Sequence, residues 1–252
     1  MPDLPPPELQ SQTTANSPPY IFSTPAEADL TYLVIAWFAI TESASLGIFP
    51  LLSALETARR KEPSYFARFF KNAFQHFNDE QQHANLWCQA LLDFTGQYPE
   101  VVRRVKLPRQ FLKIMLKSIG KPHSVLNFAV DCLAFEVVMQ ALYDVMEPRL
   151  AYPPVRAILQ VIIRDEIAHT GFGRGYLAEL FELLSTRQRY LIAFRYWGNM
   201  LGVLITISPL LKALNRHQAL SQAEFWNKVA LYSDDTGILG NYRLLPKGLI
   251  RF

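Results

Sequence analysis

Six side chains in this sequence have the type and spacing to hold metal ions. Two of its apolar helical stretches each carry a lone carboxylate: Glu42, preceded by Trp37, Phe38, Ala39 and Ile40, and Glu136, set among Leu133, Ala134, Phe135, Val137, Val138 and Met139. Two further stretches each carry a Glu followed three residues later by a His, Glu80 with His83 and Glu166 with His169. On a helix, positions i and i+3 share a face, so each pair can present one oxygen and one nitrogen to the same point. A carboxylate in a helix that must be buried is costly unless something of opposite charge meets it. Divalent cations would resolve that cost for all four acids at once. With 13 Glu and 5 His among 252 residues, chance supplies roughly 0.26 such pairs, so two argue for design. Each pair is also preceded by an acid, Asp79 and Asp165. His76, four residues before Glu80, lies on the same face as a candidate extra ligand or near-site group, against the plainer reading of a hydrogen-bonded histidine at the bundle end.

The elements that must position these groups read as helices throughout, and no alternating strand pattern with hairpin signals occurs. Apolar periodicity, prolines and glycines set the expected helices at 26–47, 64–94, 108–119, 123–147, 154–184, 187–216 and 222–232. Gly47 with Pro50 breaks or bends the first, and a short continuation to Arg60 follows. Gly96 stops the second, Pro148 closes the 123–147 helix, and Ser221 with Glu224 suggests a capping box for the last. Four long helices with connectors of varied length, and no repeat, predict an all-α four-helix bundle with additional C-terminal helices. The expected organisation is a Pro-rich disordered or loosely draped leader over 1–25 and a single helical domain over 26–252. In that domain the core bundle covers about 26–184, extra helices 187–232, and an irregular tail 233–252.

One Glu from each of two helices and a Glu-x-x-His from each of the other two, in that order along the chain, resembles the ferritin-like di-iron carboxylate superfamily. The resemblance covers roughly residues 26–216. It implies that Glu42 and His83 are terminal ligands of one metal and Glu136 and His169 of the other, with Glu80 and Glu166 bridging. It also implies that Asp79 and Asp165 act through the histidines, Asp165 orienting His83 and Asp79 orienting His169 across the helix pair; two solvated charges are the alternative. The arylamine N-oxygenase branch of the superfamily has a third histidine, but at a position occupied here by Ile162. Tyr143, seven residues beyond Glu136, is either a core tyrosine with its hydroxyl satisfied or a hydrogen-bonding or redox group of the site. Phe38, Phe135, Met139 and Phe172 flank ligands and would line a substrate cavity, although at helical spacing plain core is the commoner role.

Oxygen-rich ligation with two imidazoles and no thiolate suits iron or manganese better than zinc or copper. The resemblance implies two iron ions, with Fe/Mn or Mn loading as alternatives, and dioxygen as co-substrate. The implied enzyme is an oxygenase that hydroxylates, desaturates, deformylates or N-oxygenates a small organic or carrier-bound substrate, with electrons from an external reductant such as a ferredoxin or reductase. The chain is similar in size to aldehyde-deformylating oxygenases and tRNA hydroxylases. Competing classes are a ferroxidase or iron-storage subunit, a ligand-binding oxidase related to the ribonucleotide reductase small subunit, and a non-catalytic helical interaction protein. The first would assemble as a cage, whereas an oxygenase is expected as a monomer or homodimer.

Composition narrows the setting. Half the residues are hydrophobic and 19% are charged, which excludes a disordered chain. A net charge of +3 is too mild for a nucleic-acid binder, and two cysteines form no disulfide framework and suit a reducing compartment. No Lys or Arg precedes Arg59, so the expected location is cytoplasmic, without a signal peptide. The most apolar runs, Leu30–Thr41 and Tyr196–Leu211, fall short of the roughly 18 uninterrupted residues a membrane span needs. Both read as buried helices, with membrane-surface contact of the second as the lesser alternative. Seven basic residues and no acid lie between Val101 and Pro122, and removing them from +3 leaves −4 for the rest of the chain. Arg109, Lys113, Lys117 and Lys121 recur every four residues as one stripe. A solvated face is the usual meaning of such a stripe; docking of an acidic partner such as a ferredoxin or acyl carrier protein, or of an anionic substrate, is the sharper one.

Overall fold

The computed structural model describes residues 19–45, 66–106 and 125–235, and among these residues the protein is helical with no strand. The elements are α1 (Pro25–Ser45), α2 (Phe66–Gln97), the short α3 (Pro99–Arg104), α4 (Val125–Met146), α5 (Pro153–Leu183), α6 (Thr186–Arg216) and α7 (Gln222–Asp235). A 3₁₀ turn, Glu147–Arg149, follows α4. The helix expected at 108–119 and the basic residues Arg109, Lys113, Lys117 and Lys121 lie outside the described residues, as do 1–18 and 236–252.

α1 packs on α2, α2 on α5, and α5 on α4, which also takes α6 and α7. α4 is therefore apolar on nearly every side: Leu133, Ala134, Val137, Val138, Met139, Ala141, Leu142, Val145 and Met146 are all buried. A helix hydrophobic all round needs neighbours all round, and α4 has them. Glu136 apart, its acids, Asp131 and Asp144, fasten its neighbours. Asp131 takes Arg195 in a two-pronged pair at 2.8 and 2.6 Å and also bonds Asn199, both from α6. Asp144 takes Lys228 at 3.3 Å and the hydroxyl of Tyr232, both from α7.

The boundaries depart from expectation where tertiary contacts intervene. Gly96 does not stop α2, which runs to Gln97 before Pro99 opens α3. Of the capping box expected at α7, only half forms: Ser221 Oγ accepts from the Glu224 N–H at 3.3 Å, while the Glu224 carboxylate pairs with Arg149 at 2.5 Å. A complete box sits instead at Ser185 and Gln188, opening α6. α7 continues to Asp235, past the expected end at 232. Residues at the end of the segment expected as a loose leader are docked: Tyr20 and Phe22 pack against Phe94, Tyr98 and Tyr152, with ring centroids 5.1–6.0 Å apart, and the Tyr98 hydroxyl donates to the Tyr20 carbonyl at 2.8 Å.

The Tyr196–Leu211 run is not a simple buried helix. α6 lays one face on α4, but only 33% of its most apolar window is buried, and among the described residues it is the one helix long and apolar enough to cross a membrane.

α6 ends in a Schellman motif. The Ala219 N–H bonds the Leu214 carbonyl at 2.9 Å and the Gln218 N–H bonds Asn215 at 3.1 Å, which forces Gln218 to φ 57°. That left-handed conformation favours glycine. Gln218→Gly is expected to raise stability by about 1 kcal/mol in urea unfolding, and an unchanged or lower midpoint would show that the Gln218 side chain contributes what its backbone costs.

Candidate metal centre

Four helices bring their chemistry to one place inside the bundle. α1 supplies Glu42; α2 supplies His76, Asp79, Glu80 and His83; α4 supplies Glu136; α5 supplies Asp165, Glu166 and His169. The six side chains singled out by spacing are all buried, His83 completely. Their donor atoms form two groups, each with all atoms within 4.8 Å of one another: Glu42, Glu80 and His83 in one, and His76, Glu80, Glu136 and His169 in the other. Glu80 belongs to both. These buried groups are close enough to hold a metal ion. Glu166 hydrogen-bonds Glu136 and lies 3.6 Å from His169 Nδ1. Those contacts put it beside the second group and do not of themselves set it between the two.

The two histidines are turned by acids on the opposite helix. His83 Nε2, from α2, lies 3.2 Å from Asp165 Oδ2 on α5, and His169 Nε2, from α5, lies 3.1 Å from Asp79 Oδ2 on α2. A carboxylate only accepts, so each Nε2 donates to its aspartate, and the ring is held with Nδ1 turned toward the carboxylates. Both Nδ1 atoms are buried with no hydrogen-bond partner, each 3.7 Å from Glu80 Oε1. Glu136 Oε2 and Glu166 Oε2 are likewise buried and unpartnered. Each such atom costs about 1–3 kcal/mol if left unmet. Four buried donor atoms left unmet beside one another are what a cation would satisfy, so the residues present could hold a metal ion.

Without a cation, the cage remains together by holding protons. Burial and the adjacent Glu80 push the Glu42 carboxyl well above the usual carboxylate range, and the two share a hydrogen bond. Burial and Glu136 do the same to Glu166. Burial opposes the charge on Glu136, but the hydrogen bond from Glu166 and the neighbouring His76 pull it down to about 2. His76 is the counter-charge: burial works against it, yet Glu136 at 2.9 Å and Glu80 at 3.4 Å raise it from 6.5 to about 10.

That places His76 inside the site rather than at the bundle end, its ring stacked on His169 at 3.8 Å between centroids. Tyr143 satisfies its hydroxyl on the site itself, donating to Glu42 Oε1 at 2.9 Å. Phe38 packs against Trp87 and Tyr143, with centroids 5.1 Å from each. Met139 is buried and Phe135 partly so, both against the core; the side chain of Phe172 lies outside the described residues. Sequence reasoning missed Gln140 and Thr170, whose buried side chains bond each other at 3.1 Å and tie α4 to α5. The signal was available: each stands four residues after a site carboxylate, Glu136 or Glu166, on the same face.

Two outcomes are expected. Glu42, Glu166 and His76 all bind protons more tightly in the folded than in the unfolded chain, so the stability they lend is complete at low pH and lost as pH rises through their folded values. The melting temperature of chelator-treated protein should therefore fall as pH rises from 6.5 to about 10, the window His76 spans, and divalent iron or manganese should remove most of that fall; a flat or rising profile would contradict the proton-held cage. Asp79→Asn and Asp165→Asn should each weaken metal binding about 10–100-fold in equilibrium dialysis. Unchanged affinity would return both aspartates to the role of solvated charges. Comparisons with protein-family models, curated proteins and solved structures find no match for this chain.

Proposed function

We propose that this chain is a ferritin-like di-iron carboxylate oxidoreductase, an oxygenase acting on a small organic or carrier-bound substrate. The observation that carries the reading is Glu80, a buried carboxylate common to two donor groups drawn from four helices. Glu42, Glu80 and His83 would hold one ion, and Glu80, Glu136 and His169 the other, with Glu166 at hand beside Glu136. The donor set is rich in oxygen and contains no thiolate, which favours iron or manganese. Bound ferrous ions would supply the electrons and open coordination that activate dioxygen for oxidation of an organic molecule.

The chain's own residues do the rest. Asp165 and Asp79 fix the imidazole tautomers and aim Nδ1 at the carboxylates. Tyr143 holds Glu42 through Oε1. His76 carries a proton against Glu136 and Glu80, so it can neutralise the site while it is empty and release that proton when cations arrive. Phe38, Trp87 and Met139, all buried, exclude water from the α1, α2 and α4 sides. External electrons from a ferredoxin or reductase complete the cycle, and a cytoplasmic setting would keep Cys88 and Cys132 reduced.

Anaerobic titration with ferrous iron tests the proposal. Metal analysis and Mössbauer spectroscopy should find about two irons per chain, and Glu80→Ala should lose both. Oxygen uptake should proceed with the iron retained, by a protein that sizes as a monomer or dimer. Fewer than two irons in the unmodified protein would overturn the di-iron reading. Ferric mineral released from or stored in a cage would replace the oxygenase with a ferroxidase.

A further inference from the structure

α6 carries two apolar faces where a surface helix needs one. The inner face, Ile192, Ala193, Tyr196, Met200, Leu204, Ile207, Leu210 and Leu214, is buried. On the opposite side Leu191, Phe194, Leu201 and Ile205 are 60, 72, 44 and 55% exposed. Between them Gly198 and Gly202 face outward, where an added Cβ would meet nothing within 4 Å. Steps of three and four residues align these positions in one stripe. Arg187 continues the stripe at one end and Lys212 and Arg216 at the other, all three exposed. The 31-residue helix contains no Asp or Glu. Its other two cations are turned aside, Arg195 onto Asp131 and Arg189 onto the carbonyls of Leu184 and Glu182.

We propose that this face of α6 lies on an anionic lipid surface. The charge pattern selects that occupant. A second copy meeting this face would set Arg187 against Lys212 and Arg216 in an antiparallel pair, or against itself in a parallel one, and α6 offers no acid to neutralise either. Anionic headgroups meet the basic residues at both ends, while the apolar middle, about 21 Å from Leu191 to Ile205 at 1.5 Å per residue, sinks into the boundary of the acyl region. The helix lies in the surface and does not cross the bilayer, because its inner face is committed to α4 and pinned there by the Asp131–Arg195 pair. The inference stands on α6 alone and is independent of the metal reading.

Co-sedimentation of the full chain with vesicles of equal parts phosphatidylglycerol and phosphatidylcholine tests it. The unmodified protein should pellet with these vesicles, less so as salt rises, and much less with phosphatidylcholine alone. Arg187→Gln, Lys212→Gln and Arg216→Gln combined should weaken binding about 100-fold, and Phe194→Ser with Ile205→Ser by at least tenfold, with circular dichroism unchanged because these side chains are exposed. Protein that stays in the supernatant, or variants that pellet like the unmodified chain, would overturn the proposal. So would a dimer on a sizing column, free of lipid, that Phe194→Ser converts to monomer, since the face would then belong to a second copy.

Discussion

Four carboxylates packed into the apolar centre of a helical bundle repel one another, and that repulsion is the constraint the rest of the molecule answers. Like charges a few ångströms apart in a poorly polarisable interior cannot all ionise. In the described structure the repulsion is relieved by sharing protons within the Glu42–Glu80 and Glu136–Glu166 pairs and by placing the cationic His76 against two of the acids. Relief by protons leaves two imidazole nitrogens and two carboxylate oxygens unmet. Relief by cations would leave none. The site is thus built at a cost that a cation would offset, whatever the identity of the metal.

The fold arranges itself around that cost. α4 brings Glu136 to the site on a helix buried along nearly its whole length, so its remaining acids are displaced outward, where they take up Arg195, Lys228 and Tyr232 from α6 and α7. α1 contributes Glu42 near its end, steadied by Tyr143 from α4. α2 and α5 each contribute an Asp, a Glu and a His at equivalent positions. The apolar side of the site is closed by aromatic packing, Phe38 on Trp87 and Tyr143, which also keeps the local polarisability low and the electrostatic demand high.

Much of this was legible in the sequence because it is periodic. A Glu and a His three apart must share a helix face, whatever the fold, so both pairs and both lone glutamates were visible before any coordinate. The crossed partners Asp165–His83 and Asp79–His169 were reachable through the family resemblance. What spacing could not show is what depends on how helices rotate against each other. Spacing left His76 open between a near-site group and a polar group at the bundle end, because only the α2–α5 packing turns it onto His169. Tyr20 and Phe22 read as part of a Pro-rich leader, because the aromatic pocket that receives them is assembled from α2, α3 and α5 boundary residues far apart in sequence. Glu224 fitted a capping box by its spacing, but Arg149, distant in the chain, outbids the local backbone N–H. The outward stripe of α6 was hidden inside an apolar run, since composition does not reveal which side of a helix has a neighbour.

The crossed aspartate–histidine contacts have a mechanical side. Each ties a residue of α2 to one of α5, and the two run in opposite senses, Asp of one helix to His of the other and back. Sliding α2 along α5 by one residue, about 1.5 Å, would lengthen both contacts together and turn both imidazoles away from the carboxylates. The pair works as a register gauge: the helices can tilt or breathe a little, but the site exists in only one alignment of the two, and any force that shifts that alignment disarms both halves of the centre in a single movement.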